Sequence, residues 1–387
     1  MSVDKLLISR LSYLEQIDEI REKYSKKIKQ SIPNVSGWDI SKEYKELFLE
    51  NFEYSKYFKN YDLLDYVYTY DINTHKRQTL IQKFGGNESN SILLVQNNTI
   101  ALVNAINFIA HFCNEKIALL SPCYFSLPNL LNNRKLKYTT LPIIRSELGY
   151  KLPKDAISSS GYKVIILTNP VFSTGMYLDE TEITFLANFL KNGNYIISDE
   201  SLAAPKHELL RYLGSYPGFI SVYSPHKFVH CNSFKFSCIV YNNAFEDFFD
   251  QWNDIYAGSL NITNLQAINH FLSDNYMHVQ QKFLDFTNIN RLKIIDMLNH
   301  FDNFETDMTG TGDFMCIYNK KLSYEIGNDI KFMKKVLNKT NSIFYPGCLH
   351  GFQKEHGFVF RVNLVSFNQI ICASLLKILN FLSSISL

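Results

Sequence analysis

The chain has 387 residues, with 39 basic and 37 acidic side chains and a formal net charge of +2. That balance gives no electrostatic reason for nucleic acid or an anionic membrane as a main partner, and neither is expected. With 46% hydrophobic and 14% aromatic residues a large core is easy to build, and global disorder is excluded.

Residues 4–30 and 41–59 carry apolar positions at helical spacing with few breakers and read as an N-terminal helical arm. The basic run KYSKKIKQ at 23–30 falls within it and reads as a solvated helix face. The opening MSVDKLLISRLSYLEQIDEI has no secretory-leader pattern, and no apolar run approaches the roughly 18–20 residues of a spanning helix, so a cytoplasmic protein is expected. From about residue 90 short apolar runs recur: SILLVQ (91–96), KIALLS (116–121), KYTTLPI (137–143), KVIILT (163–168), NYIISD (194–199), FISVYS (219–224) and FSCIVY (236–241). Helix-like stretches at 99–112 and 179–191 lie between some of them, the rhythm of βαβ units around a sheet covered on both faces. After about 245 the pattern changes to long helices, roughly 262–299, and then to an α+β region. The expected fold class is α/β: a large doubly wound, mostly parallel sheet domain with a smaller α+β domain. The expected division is 1–60 for the arm and part of the small domain, 61–260 for the large domain, and 261–387 for a connecting helix and the small C-terminal domain. Seven scattered cysteines without a C-x-x-C pair or a Cys/His cluster point to reduced thiols and no metal site.

Open α/β sheets bind ligands beyond the carboxyl ends of their strands. The residues just after the apolar runs are Asn97-Asn98-Thr99, Pro122-Cys123-Tyr124, Asn169-Pro170, Asp199-Glu200 and Ser224 to Lys227. Read alone, each has an ordinary explanation: Asn98 and Thr99 as a helix cap, Tyr124 as a half-buried core ring, and Lys227 as the ion-pair partner of Asp199. Together they offer a helix N-terminus for a phosphate, a ring to stack on, an acid and an amine. Pyridoxal 5'-phosphate needs all of these: a lysine for a Schiff base, a carboxylate against its ring nitrogen, and a phosphate cradle.

The order of these residues resembles the fold-type I pyridoxal-phosphate enzymes of the class I/II aminotransferase group, from about residue 60 to 380. The family reads N-P-x-x-P-T-G, D-E-x-Y, then S-x-S-K followed by G-x-R-x-G. Here the blocks are NPVFSTG (169–175), DESL (199–202), SPHK (224–227) and SFKFS (233–237). The resemblance implies a Schiff-base role for Lys227, a ring-nitrogen partner in Asp199, cofactor contacts from Asn169, and phosphate contacts from Ser224 and Lys235. VQNNTIAL and SPCYFS likewise imply Asn98 and Thr99 at the phosphate and Tyr124 over the ring. YDINTHKRQTLIQKF (70–84) resembles the segment whose tyrosine reaches the other subunit's phosphate, implying Tyr70 and a homodimer. FYPGCLHGF…GFVFRVNL resembles the segment whose arginine clamps the substrate carboxylate, implying Arg361.

Departures from the family pattern are specific. Phe172 and Leu202 stand where an Asn and a Tyr normally donate to the cofactor's phenolic oxygen, and whether Ser201, His226 or another group replaces them is open. Lys235 replaces an arginine, keeping the charge but losing the fork. The expected function is a pyridoxal-phosphate enzyme acting on an amino acid, by default an aminotransferase with a keto-acid acceptor. The alternatives are divergent chemistry on the same cofactor (oxidase, lyase, cyclase or decarboxylase in a specialised biosynthetic pathway) and a non-catalytic cofactor-binding protein.

Overall fold

The apolar runs fold as short strands. In the computed structural model, which describes residues 3–53, 72–113, 115–146, 149–256 and 259–385, they begin with Asn90–Val95 (β1), Ile117–Ser121 (β2) and Tyr138–Pro142 (β3). A hairpin of Ile144–Ser146 (β4) and Gly149–Lys151 (β5) follows, then Val164–Thr168 (β6), Tyr195–Asp199 (β7), Phe219–Tyr223 (β8) and Ser237–Asn242 (β9). Phe304–Thr306 (β10), Phe314–Asn319 (β11) and Phe358–Asn363 (β12) complete the set.

The large sheet has the order β1-β9-β8-β7-β6-β2-β3. Neighbours from β8 to β3 pair parallel, while β9 pairs antiparallel with both β8 and β1, so β9 alone is reversed. Both faces are covered, which is why these strands are apolar throughout rather than alternating. In β6, Ile165 and Leu167 join one core cluster and Val164 and Ile166 the other. The first cluster takes in Leu186 and Phe189 of helix Glu180–Lys191, and the second Ala101, Leu102 and Phe108 of helix Asn98–Phe112. Each buried Ile, Leu or Phe contributes roughly 1.5–3 kcal/mol.

The small sheet is antiparallel, β10-β11-β12, and packs against helices Ile330–Thr340 and Gln369–Ser383. Between the sheets runs helix Asp274–Leu298: its Tyr276, Val279 and Phe283 lie in the large core, its Ile294, Ile295 and Leu298 in the small one. The helical stretch expected over 262–299 is two helices, Ile262–Phe271 and Asp274–Leu298, because Ser273 caps the second by accepting from Tyr276 N (3.3 Å). The chain after the first helix is stitched into the small domain: Val35 N donates to Ile343 O (3.1 Å), and Asn363 N donates to Val35 O (2.9 Å).

Candidate active site

Because β1, β2, β6, β7 and β8 point one way, their carboxyl ends share one rim; the reversed β9 starts there. That reversal brings Lys235 and Ser237 to the same edge as Ser224 and Lys227, although a turn separates them in sequence.

At one end of the rim stands helix Asn98–Phe112. Its cap is Asn97, whose side chain accepts from Ile100 N (3.1 Å), and not Thr99, which is the second helical residue and exposed. Asn98 is buried, and its Oδ1 accepts from Ser201 Oγ (2.7 Å) and Ser224 Oγ (3.2 Å). Ser224 Oγ also bonds Ser237 Oγ (2.7 Å). Asn98 Nδ2 is buried with no hydrogen-bond partner among the described residues, as a donor kept for an anion would be. Lys235 is half-buried, its carbonyl accepts from Asn264 Nδ2 (2.7 Å), and its charge is close enough to lower the amine pKa of Lys227. Tyr70 lies outside the described residues.

Lys227 sits in a short turn, Pro225–Phe228, directly after β8, with Lys227 N donating to Ser224 O (2.9 Å). Its Nζ lies 5.5 Å from the centroid of the Tyr124 ring and has no hydrogen bond among the described residues. Burial pushes its pKa below that of an ordinary lysine, while Asp199 and Asp313 pull the other way. Asp199 ends β7 at 3% exposure; the N–H of Ser201 donates to its Oδ1, and the Ser201 hydroxyl, with one hydrogen to give, stands between Asp199 Oδ1 and Asn98 Oδ1. Lys227, Asp199 and Tyr124 line one pocket with Thr168, Phe172 and Leu202. The two positions that depart from the family pattern therefore do face the site, and with apolar surface. His226 does not replace the missing donors: its Nδ1 is 2.7 Å from Phe236 O, and burial takes its pKa down to about 3. Thr168 Oγ1, on the pocket wall and without a partner among the described residues, is the available hydroxyl.

Asn169 is placed differently from the expectation of a cofactor contact. It is buried but absent from the pocket wall, with its Nδ2 donating to His207 O (2.9 Å) and Glu200 Oε2 (3.3 Å). Glu200 also accepts from Ser221 Oγ and Leu209 N (both 2.8 Å), and burial raises its carboxyl pKa to about 8. The pair fastens strand ends behind the site.

The far side of the pocket comes from the small domain and the segment after the first helix. Arg361, on β12 and 3% exposed, donates from Nε to Ser36 O (3.1 Å) and from Nη1 to Ser173 Oγ (3.4 Å). Its guanidinium carbon lies 4.2 Å from the Phe314 ring centroid and 5.6 Å from that of Trp38. Burial lowers its pKa to about 10, which leaves it charged at neutral pH. Trp38, Ser173, Gly175, Thr311, Asp313 and Phe314 line this side. At Gly175 (φ +75°) a Cβ would sit 2.5 Å from Thr311 O, so glycine permits the close approach of the two domains. The sequence alone did not single out Trp38, Asp313 or His230. Trp38 follows no strand, and Asp313 and His230 are 83 residues apart, so neither carries a local signal.

An unbonded, largely enclosed amine beside a ring and a braced carboxylate, with a hydroxyl-rich helix start along the rim, fits pyridoxal phosphate. Among the described residues no group of three or more His, Cys, Asp or Glu side chains is placed to hold a metal, and no helix is long and apolar enough to cross a membrane. No family model matches the sequence, and no curated protein matches it. Solved structures do match its fold. Aspartate aminotransferase from Thermotoga maritima is 14% identical, with 97% of this chain and 99% of that one covered and a TM-score of 0.75. N-succinyldiaminopimelate aminotransferase from Mycobacterium tuberculosis is 14% identical over 96% and 97%, with a TM-score of 0.72. The pyridoxal-phosphate-bound C-S lyase from Staphylococcus hominis is 17% identical over 90% and 91%, with a TM-score of 0.69. The chain has the fold of the fold-type I pyridoxal-phosphate enzymes, at low sequence identity.

Proposed function

We propose that this chain is a pyridoxal-phosphate-dependent enzyme acting on amino acids, and that it transfers the amino group to a keto acid. The observation that carries the reading is Lys227: an amine with no hydrogen bond among the described residues, facing Tyr124 at 5.5 Å in the pocket that also holds Asp199. The neighbours in fold, two aminotransferases and a lyase, support it.

Bound there, the cofactor supplies an electron sink for a bond at the substrate's α-carbon. The chain's own residues do the rest. Lys227 Nζ holds the aldehyde, and Asp199 keeps a proton on the ring nitrogen. Asn98, Ser224 and Lys235 receive the phosphate at the helix start, and Tyr124 fixes the plane of the ring. Arg361, braced by Ser36 O and Ser173, presents its fork to the α-carboxylate. Lys227 Nζ would also be the group to take the α-proton, and burial helps by disfavouring its charged form. A homodimer in the cytoplasm, with Tyr70 of one subunit serving the other, belongs to the same reading.

Phe172 and Leu202 favour a second reading, in which the same site runs a lyase, oxidase, cyclase or decarboxylase reaction, because two donors that tune the cofactor are replaced by apolar surface. The test is turnover of an amino-acid panel by the cofactor-loaded protein with and without a keto acid. Turnover that requires the keto acid is transamination; turnover without it selects the second reading, and none under either condition contradicts both.

A further inference from the structure

Three acidic or basic groups line this pocket, with Arg361 behind its Trp38 and Phe314 rings, and the account above employs Lys227, Asp199 and Arg361. The group not yet employed is Asp313, immediately before β11, on the pocket wall yet only 3% exposed. Its Oδ2 is 2.9 Å from Nε2 of His230. A carboxylate can only accept, so Nε2 carries the hydrogen. Its Oδ1 is buried and has no hydrogen-bond partner among the described residues, and the same holds for Nδ1 of His230. His230 lies three residues beyond Lys227, in left-handed backbone (φ +54°), with its ring 5.5 Å from that of Trp38. The imidazole is thus held between the lysine turn and the small domain, bonded to Oδ2 of the carboxylate and leaving Oδ1 without a partner among the described residues.

A buried carboxylate is costly unless paired. Burial raises the Asp313 carboxyl pKa, and His230, bonded to one oxygen, then Arg361 and Lys227 pull it back down. On the proposed function the last two are engaged elsewhere, Lys227 with the aldehyde and Arg361 with the α-carboxylate, which leaves His230 on Oδ2 as the standing partner. Asp313 is then a buried acid beside the substrate with half its acceptor capacity unused. Resting on the proposed function, we propose that Asp313 is a specificity-determining residue: its free Oδ1 receives the cationic side chain of the bound amino acid, so the pocket selects substrates that carry a second positive charge, as lysine, ornithine and arginine do.

The test compares L-lysine with L-norleucine, which has the same carbon chain without the ammonium. Dissociation constants come from spectral titration of the cofactor-loaded full chain and, independently, from the ligand-induced rise in unfolding temperature. Lysine is expected to bind about tenfold or more tightly than norleucine, the worth of one charged hydrogen bond. Asp313→Asn should bring that ratio close to one with norleucine little changed, while His230→Gln, which keeps the acid and a donor to it, should retain the preference. Three results would overturn the proposal: no preference in the unaltered protein, a preference that survives Asp313→Asn, or equal weakening of both ligands, which would make Asp313 a counter-ion to Arg361. If Asp313→Asn does not fold, the absence of a preference in the unaltered protein would still overturn the proposal. A chain that takes up no pyridoxal phosphate would break the proposed function on which this inference rests, whereas a chain that takes it up and shows no preference for lysine would break only the inference.

Discussion

The two walls of the pocket are built by different routes. One wall is the carboxyl edge of the large sheet, where parallel strands deliver Tyr124, Asp199, Ser224 and Lys227 to a single rim within a few residues of each strand end. The other is assembled from distant pieces: Arg361 on β12, Phe314 on β11 with Asp313 just before it, and Trp38 from the segment that follows the first helix. Its key bond, Arg361 Nε to Ser36 O, joins residues 325 positions apart. Parallel topology thus makes a site that can be read as short motifs, whereas a site made by antiparallel register and a returning N-terminal segment leaves almost none. On the proposed function, the first wall would carry the cofactor chemistry and the second would face the substrate.

Four substitutions separate the walls, in order of effect. Lys227→Ala on the cofactor wall should lower kcat by roughly a thousandfold or more while leaving the unfolding temperature nearly unchanged, measured by steady-state turnover and calorimetry. Retained turnover would mean that this wall is not where the reaction runs. Arg361→Lys on the substrate wall should raise KM for α-amino acids by roughly 10–100-fold, with cofactor affinity unchanged, because a point charge replaces a fork. If cofactor affinity fell as well, the division between the walls would fail.

Glu200→Gln tests the scaffold behind the first wall. Burial raises the Glu200 carboxyl from an ordinary 4.5 to about 8, so the folded chain keeps a proton that the unfolded chain releases. Its contribution to stability is therefore full below about pH 4.5 and is lost as pH rises to about 8. Denaturant titrations should show a decline of roughly 4–5 kcal/mol across that window, flattened in Glu200→Gln. An unchanged slope would assign the decline to another group. The smallest effect is expected from Trp38→Ala: the ring is 45% exposed, so its loss should raise KM about three- to fivefold through the Arg361 stack and cost little stability.

How much was legible follows the same division. The apolar runs gave the seven strands of the large sheet to within a residue or so at most ends, because strands buried on both faces read as unbroken apolar runs bounded by polar residues. Lys227, Asp199 and Tyr124 came from strand ends, and the structure brings them to one pocket. Thr99 was misread as a possible cap because Asn97, Asn98 and Thr99 are all good capping residues, and only the backbone decides among them: Asn97 is extended (φ −160°). The resemblance implied a cofactor contact for Asn169, and in the structure its Nδ2 is bonded to Glu200 and His207 O. Asp313 and His230 went unnoticed because their meaning lies in a contact between domains.

The most direct test of the central claim is the absorption spectrum of the purified protein with pyridoxal phosphate, before and after borohydride reduction, followed by peptide mapping of the modified residue. The account predicts a visible band that disappears on reduction, with the pyridoxyl group recovered on Lys227. A spectrum without that band after the cofactor is added, or label recovered on Lys235 or another lysine, would contradict it.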